Sequence, residues 1–379
     1  MANDKEHIQL LDYFRGKAIL SVFLFHCVGD AFGHDQLPWK NGLADFSTSK
    51  LFLAFFPLTF GWAGVAIFFV VSGFCIHLSF VKDPANSWTN FFTRRFFRIY
   101  PPYLLALIYF ACAFPPTRLS FHTQYSWTQF ASHVLLIHNF NSQMFYGINH
   151  SFWSIAIEAQ LYLLYPILLF ATRQLGWQRS LMIVCLLEVF IRGTIGVVDT
   201  FTDKAVPYWF AESPLCYWFS WSIGAAVAEA FIKKQPLPFR SLSIVALCLL
   251  AIGTNLIRPL HAFSFLFFAL LTATVIARLL TSKRPVKNHA FNMHLRDLGI
   301  CSYSFYLLHQ PLILLFPMIL GDSLMPTHPL AIFALCAGIY PFIYLLSRVY
   351  YQYIELRSMA IGKQILRLIT PLRWLAQPS

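Results

Sequence analysis

Apolar runs that approach or exceed the roughly 20 residues needed to cross a bilayer recur along the whole chain. Ten spans are expected, at about 11–32, 58–80, 99–115, 151–171, 180–198, 213–232, 241–257, 262–280, 298–320 and 329–352. Short polar segments separate them, so the pattern predicts an all-α, polytopic integral membrane helix bundle. The longest interruption, 116–150, contains WTQFASHVLLIHNF, in which Trp127, Phe130, Val134, Ile137 and Phe140 recur at roughly helical spacing. That stripe predicts an amphipathic helix lying on the outer interface. No internal repeat is evident.

Polar positions inside the apolar runs say more than the runs themselves. The first contains LDYFRGKAILSVFLFH, with Asp12, Arg15, Lys17 and His26. An ionisable group near mid-bilayer costs about 2.5–3.5 kcal/mol on insertion scales, so it faces protein or water and marks a site. Arg15 and His26 are eleven positions apart, about three helical turns and about 16 Å. The two therefore share one stripe of a helix. A neutral imidazole, with an ordinary pKa near 6.5, accepts a proton from a hydroxyl. Asp12 and Glu158 are the carboxylates available to orient it, and a packing histidine is the alternative. Asp12 also lies three residues before Arg15, where it can pair with the guanidinium and hold it in place.

Composition narrows the class. Of 379 residues, 58% are hydrophobic and 12% charged, against about 45–50% and about 25% in soluble domains. The formal charge of +12 does not indicate nucleic acid, because Lys and Arg are confined to short loops. With a cytoplasmic N-terminus, the inside segments carry 19 basic residues and the outside ones 5, with Arg15, Lys17, Arg192 and Arg348 within spans. This bias places both termini in the cytoplasm. Cys27, Cys75, Cys112, Cys185, Cys216, Cys248, Cys301 and Cys336 lie in apolar segments with no CxxC pair. They read as small buried hydrophobes. His122, His133, His138 and His150 share the 116–150 loop, but their spacings are not the i, i+4 pair of a helical metal site. They are expected to be solvated or interfacial, and no metal is expected. The domain expected is one transmembrane unit, 1–352, followed by a basic cytoplasmic tail, 353–379, with no appended soluble domain.

Four further stretches carry candidate chemistry. In FFVVSGFCIH, 68–77, Gly73 permits close backbone approach, for helix packing or for a ligand beside the helix. Ser72 is a candidate nucleophile with no activating base discernible in the sequence. In FFTRRFFRIYPPYL, 91–104, Arg94, Arg95 and Arg98 lie within about one turn if helical. Guanidinium forks suit phosphate oxygens, although positive-inside charges need no ligand. Pro101 and Pro102 sit where a helix can start. In HSFWSIAIEAQLYLLYP, 150–166, Glu158 lies inside the fourth span, where a carboxylate must be paired, protonated or facing a wet cavity. Trp153 and Tyr162 are interfacial anchors or a sugar-stacking platform. In LGICSYSFYLLHQPLI, 298–313, Ser302, Tyr303, Tyr306 and His309 thread polar groups through the ninth span, with Tyr306 and His309 on one face.

Together these stretches resemble the membrane-bound acyltransferase type 3 family. The R-x10-H pattern of that family's first helix is matched by Arg15 and His26, with Asp12 before them, and its FFFVLSGF by Phe68 to Phe74. Its RR-x-x-RIYPPYLL is matched by Arg94, Arg95, Arg98 and the Tyr-Pro-Pro that follows. Its WSLSVEEQFYLLWP is matched by Trp153, Ser154, Glu158, Gln160, Tyr162 and Pro166, and its LGxISYSLYLWHxP by Leu298 to Pro311. All five occur in the family's order.

The resemblance implies an integral membrane enzyme, of a bacterial inner membrane, that uses cytoplasmic acyl-coenzyme A to acylate a hydroxyl of an extracytoplasmic or lipid-linked glycan. Acetyl-coenzyme A is the donor expected. His26 is then the general base, with Glu158 and His309 orienting it or the acceptor. Arg15, Arg94, Arg95 and Arg98, with Ser72 and Gly73, meet the donor, and Trp153, Tyr303, Tyr306 and His309 meet the acceptor. Two positions depart from the family pattern. Ala159 replaces the second Glu of its usual pair, so a two-carboxylate mechanism is not expected, and Gln310 replaces the Trp after His309. The hydrolase-like domain of some members is not expected here, so hand-over is expected within the membrane unit or by a partner. A transporter or flippase of an anionic or glycolipid substrate, and a non-catalytic membrane scaffold, are the rival classes.

Overall fold

In a computed structural model the protein is described over residues 2–34, 55–83, 87–202, 204–282, 289–315, 318–320 and 326–369. These residues are overwhelmingly helical, and no strand occurs among them. Helix α1 spans Ala2–Phe32. A 3-10 segment, Leu58–Ala63, leads into α2, Gly64–Val81. There follow α3 (Trp88–Ile108), α4 (Gln124–Val134), α5 (Phe152–Phe201) and α6 (Trp218–Ile232). Next come α7 (Ile244–Leu256), α8 (Ser264–Leu280), α9 (Ala290–Ile300) and α10 (Ser302–Ile313). The last are α11 (Pro329–Gly338), α12 (Tyr340–Tyr350) and, after a π-helical turn, α13 (Leu356–Ile369).

Seven helical stretches among the described residues are long and apolar enough to cross a membrane. The charged α1 and the 13-residue α7 stand outside those seven. One of the seven, α5, is 50 residues long and interrupted at Gly176, whose φ of 78° and ψ of 162° only glycine adopts readily. Tyr165 and Trp177 both pack on His77, whereas Trp153 and Arg192 line one cavity. The chain therefore doubles back at Gly176, and α5 is two antiparallel arms that correspond to the expected spans 151–171 and 180–198. Around them α2 packs along α6, and α1 along α9.

Several expectations change. Pro101 and Pro102 do not start a helix but lie inside α3. Proline lacks the N–H that would bond four residues back, which frees the Phe97 carbonyl, and the Ser358 hydroxyl donates to it instead. The span read as 298–320 is broken at Cys301, between α9 and α10. Of the segment read as a tail, 353–369 is helical and packs on α3, and Glu355 in it is fully buried. The rest of that segment, 370–379, lies outside the described residues. Among the cysteines, Cys112 is exposed where burial was expected.

Helix α4 forms within the expected segment. Thr123 Oγ1 caps it by accepting the Ser126 N–H at 3.2 Å, and Leu136, at φ 55°, ends it. It stops before Ile137 and Phe140, so the expected stripe is not one helical face. The buried face is polar, with Ser126, Gln129 and His133, while Tyr125 and Trp127 are exposed. His133 and His138, expected to be solvated or interfacial, are fully buried. Their rings stack at 3.9 Å between centroids, and His133 Nδ1 donates to the Gln129 carbonyl at 2.7 Å. The correction follows from the turn at Leu136, which folds His138 back onto His133.

Burial pushes His133 down to about 4 and His138 well below the ordinary 6.5, the neighbouring ring adding to the second. Both folded values lie below the unfolded ones, so the unfolded chain binds more protons between about pH 4 and 6.5. The stability conferred is complete above pH 6.5 and lost as pH falls towards 4. For His133 the shift corresponds to about 3 kcal/mol. The thermal midpoint of the purified protein is expected to drop between pH 7 and pH 4.5, and His138→Phe to flatten that drop. An equal pH slope in the variant would remove the stacked pair as its cause.

Candidate active site

The polar side chains of α1, α2, α3, α5 and α10 meet in a narrow cavity of about 90 Å³. Arg15 enters from α1, held by Asp12 Oδ1 at 2.9 Å, and a second arm rests 3.2 Å from Cys75 Sγ. Arg95 and Arg98 enter from α3. Arg95 Nη2 donates to Ser79 Oγ at 2.8 Å, and its buried Nε has no partner. Arg98 lies 3.8 Å from Glu355, which is itself tied to Ser304 Oγ at 2.8 Å. From α5, Glu158 Oε1 accepts the hydroxyls of Ser72 and Tyr162, each at 2.6 Å. Trp221 Nε1 donates to Ser72 Oγ at 3.2 Å. Tyr303 lines the same cavity with its hydroxyl spent on the Ile99 carbonyl.

A second cavity, of about 350 Å³, adjoins the first: Val65 and Tyr306 line both. It is walled by His26, His34 and His150 with Trp62, Tyr146 and Trp153. The His26 ring lies 5.4 Å from that of His309 and 6.0 Å from that of His34. His26 Nδ1 is buried without a partner. His309 Nδ1 faces the carbonyls of Phe305 and Tyr306 at 3.2 and 3.0 Å. A carbonyl only accepts, so the N–H sits on Nδ1 and Nε2 keeps its lone pair. That Nε2 is also buried and unpartnered. The Tyr306 hydroxyl pairs with Ser154 at 2.7 Å, and Trp153 stacks on Phe145. Gln310 Oε1 accepts the His150 backbone N–H at 3.2 Å. Burial and the nearby His34 lower the pKa of His150.

The five stretches singled out in the sequence, spread from Asp12 to His309, thus converge on two adjoining cavities. A profile of the acyltransferase domain matches residues 8–348. The chain belongs to the acyltransferase type 3 family. No curated protein and no solved structure matches it.

Within this acyltransferase fold the expected residues divide. Arg15, Ser72, Arg95, Arg98, Glu158 and Tyr303 line the narrow cavity, His26 and Trp153 the wider one, and Tyr306 both. Glu158 is bonded to Ser72 and Tyr162, and the ring beside His26 is that of His309. Arg94 points elsewhere, 43% exposed and 3.6 Å from Asp83. Ser72, read as having no activating base discernible in the sequence, donates a hydrogen bond to Glu158. No sequence signal couples residues 86 apart, and none marked Glu355 or Trp221. His34 was legible in principle, two turns beyond His26.

Of the two readings of Gly73, the structure favours helix packing over the donor. This glycine lies on the packing face of α2, where an added methyl would run into the Trp221 carbonyl of α6, and Gly224 meets the Val70 carbonyl in the same way. Forcing the helices apart costs about 1–3 kcal/mol. Gly73→Ala is expected to lower the thermal midpoint by several degrees. Gly253→Ala, in open space, is expected to leave it unchanged or raise it. A Gly73→Ala protein of wild-type stability but weakened donor binding would return Gly73 to the ligand.

Proposed function

We propose that the protein transfers an acyl group, acetyl in the simplest case, from acyl-coenzyme A to a hydroxyl of a glycan or lipid-linked glycan across the membrane. One observation carries this reading: the guanidinium-lined cavity and the imidazole-lined cavity share Val65 and Tyr306. A donor held among Arg15, Arg95 and Arg98 would therefore direct its thioester towards His26. The 19-to-5 bias of basic residues supports the Arg94 end and both termini in the cytoplasm, with His34 and His150 outside. A bacterial inner membrane fits that arrangement.

In this reading His26 takes the proton of the acceptor hydroxyl as the oxygen attacks the thioester carbonyl. The carbon–sulfur bond breaks, the thiolate recovers the proton from the imidazolium, and ester and free thiol result. His309, with its own N–H directed to backbone, stands beside His26 as a second lone-pair donor. Trp153 and Tyr306 flank the acceptor side. On the donor side, Arg15, Arg95 and Arg98 have Asp12, Glu158 and Glu355 around them, so phosphates compete with carboxylates for the guanidinium groups. The Arg98–Glu355 separation of 3.8 Å is wider than the 2.9 Å of Arg15–Asp12, which leaves Arg98 more easily recruited than Arg15.

Three outcomes are expected. His26→Ala loses about 10²- to 10⁴-fold in turnover at unchanged thermal midpoint; a folded variant with normal turnover would remove His26 as the base. Arg98→Gln raises the donor KM by about 10- to 100-fold, as loss of a charged hydrogen bond predicts, and Arg94→Gln changes it little. Equal effects of the two would return both to topology markers.

The short Ser72–Glu158 hydrogen bond favours a second route, in which Ser72 attacks the thioester and passes its proton to Glu158, the carbon–sulfur bond breaks, the coenzyme A thiolate leaves with that proton, and Ser72 carries the acyl group as an ester. Direct transfer is the simpler route, since His26 faces the acceptor side. Rapid-quench labelling with radioactive acyl-coenzyme A and no acceptor separates them. Stoichiometric label on Ser72, chased into product by added acceptor, would defeat direct transfer.

A further inference from the structure

A third cavity, of about 230 Å³, takes no part in the chemistry above. Trp62 and Trp153 form a wall common to it and to the His26 cavity. Much of its remaining lining comes from 199–212 and 261–262, at the end of the bundle that the basic-residue bias places outside. At the roughly 30 Å³ that a water occupies in the liquid, the space takes about eight water-sized groups, room for about one sugar ring.

Its chemistry is specific. Asn255 lines the cavity at 1% exposure, and neither Oδ1 nor Nδ2 has a hydrogen-bond partner. Buried polar groups are nearly always paired, and an unpaired one is costly. An amide with a free donor and a free acceptor is complemented by hydroxyls, which do both. Beside it, Glu212 accepts the Tyr217 hydroxyl at 2.8 Å, and Asp199 lies 3.5 Å from His261 Nε2. Arg192 also lines the space, but Glu188 at 3.0 Å matches its charge, and the carbonyls of Ala262 and Cys216 take two more of its N–H groups. Two carboxylates thus face one imidazole, a balance that disfavours an anion. The two indoles lining the space add apolar aromatic surface, which suits the C–H side of a sugar ring.

We propose that this cavity is an acceptor subsite for one neutral or amino-bearing sugar residue, next to the residue whose hydroxyl is acylated, with Asn255 and Glu212 as its polar contacts. The subsite rests on the acyltransferase reading above. It excludes uronates and other acidic sugars.

The test uses the full-length protein in nanodiscs, radiolabelled acetyl-coenzyme A, and short glucose-, glucosamine- and uronate-type oligosaccharides as probes. Transfer to the neutral and amino probes, and not to the uronate, is expected. Asn255→Leu should raise the acceptor KM about tenfold or more while leaving the donor KM and the acceptor-free hydrolysis of acetyl-coenzyme A unchanged. Its thermal midpoint should not fall, because an apolar side chain of similar size removes an unpaired amide. Glu212→Gln should raise the relative use of the uronate, and it keeps the question open to experiment should Asn255→Leu fail to fold. Unchanged acceptor KM in Asn255→Leu with no gain on the uronate in Glu212→Gln, a wild-type preference for the uronate, or hydrolysis without transfer to any sugar would each overturn the subsite alone. Neither hydrolysis nor transfer would overturn the acyltransferase reading, and the subsite with it.

Discussion

Charge buried among apolar helices must find a partner, and that requirement fixes where the helices of this protein lie. Arg192 and Glu188 are both buried on the second arm of α5. Glu188 also accepts from the backbone and hydroxyl of Ser220 on α6, and Arg192 reaches backbone carbonyls beside α6 and α8. Glu355 joins Arg98 of α3 to Ser304 of α10. Glu158 joins α5 to Ser72 of α2, and Trp221 of α6 closes that cluster. Such pairs add little net stability, but breaking one costs about 3–5 kcal/mol because a charge is left alone. They act as register pins, since a slip of one helical turn would strand them.

The outer surface obeys the complementary rule. On α5, Leu163, Ile167 and Phe170 of the first arm and Leu186, Phe190 and Val197 of the second are all exposed. In water such faces would associate; in a bilayer they meet lipid, and helices satisfy their own backbone groups. Polar side chains are thereby sorted inwards, where they line cavities. The active-site polarity and the membrane surface are two results of one partition.

Along α2 and the 3-10 segment that leads into it, this partition orders the three cavities. Ile76, Cys75 and Ser72 line the guanidinium cavity, Val65 that cavity and the imidazole one, and Trp62 the imidazole cavity and the Asn255 one. From Ile76 to Trp62 is about 20 Å of helix, comparable to the about 16 Å from Arg15 to His26 on α1. Two neighbouring antiparallel helices thus flank the same row of cavities, α1 from Arg15 to His26 and α2 from Val65 to Ile76.

The sequence by itself determined the helical class, the membrane setting, the family and most of the residues that meet at the cavities. Those properties are local: hydropathy over a window, an i, i+11 stripe on α1, and motif strings such as SGF and RIYPPY. Tertiary structure decided which polar groups touch. It gave Glu158 to Ser72 and Tyr162 and left His309 beside His26, turned Arg94 away to Asp83, and set Gly73 against Trp221. It buried His133 and His138 together and continued α3 through Pro101 and Pro102, with Ser358, far along the chain, donating to the Phe97 carbonyl that Pro101 leaves free. Each of these depends on contacts between residues distant in sequence, or on a turn such as Leu136 or Gly176 whose consequence is spatial. A linear pattern records what a helix presents on its faces; only packing decides what each face meets.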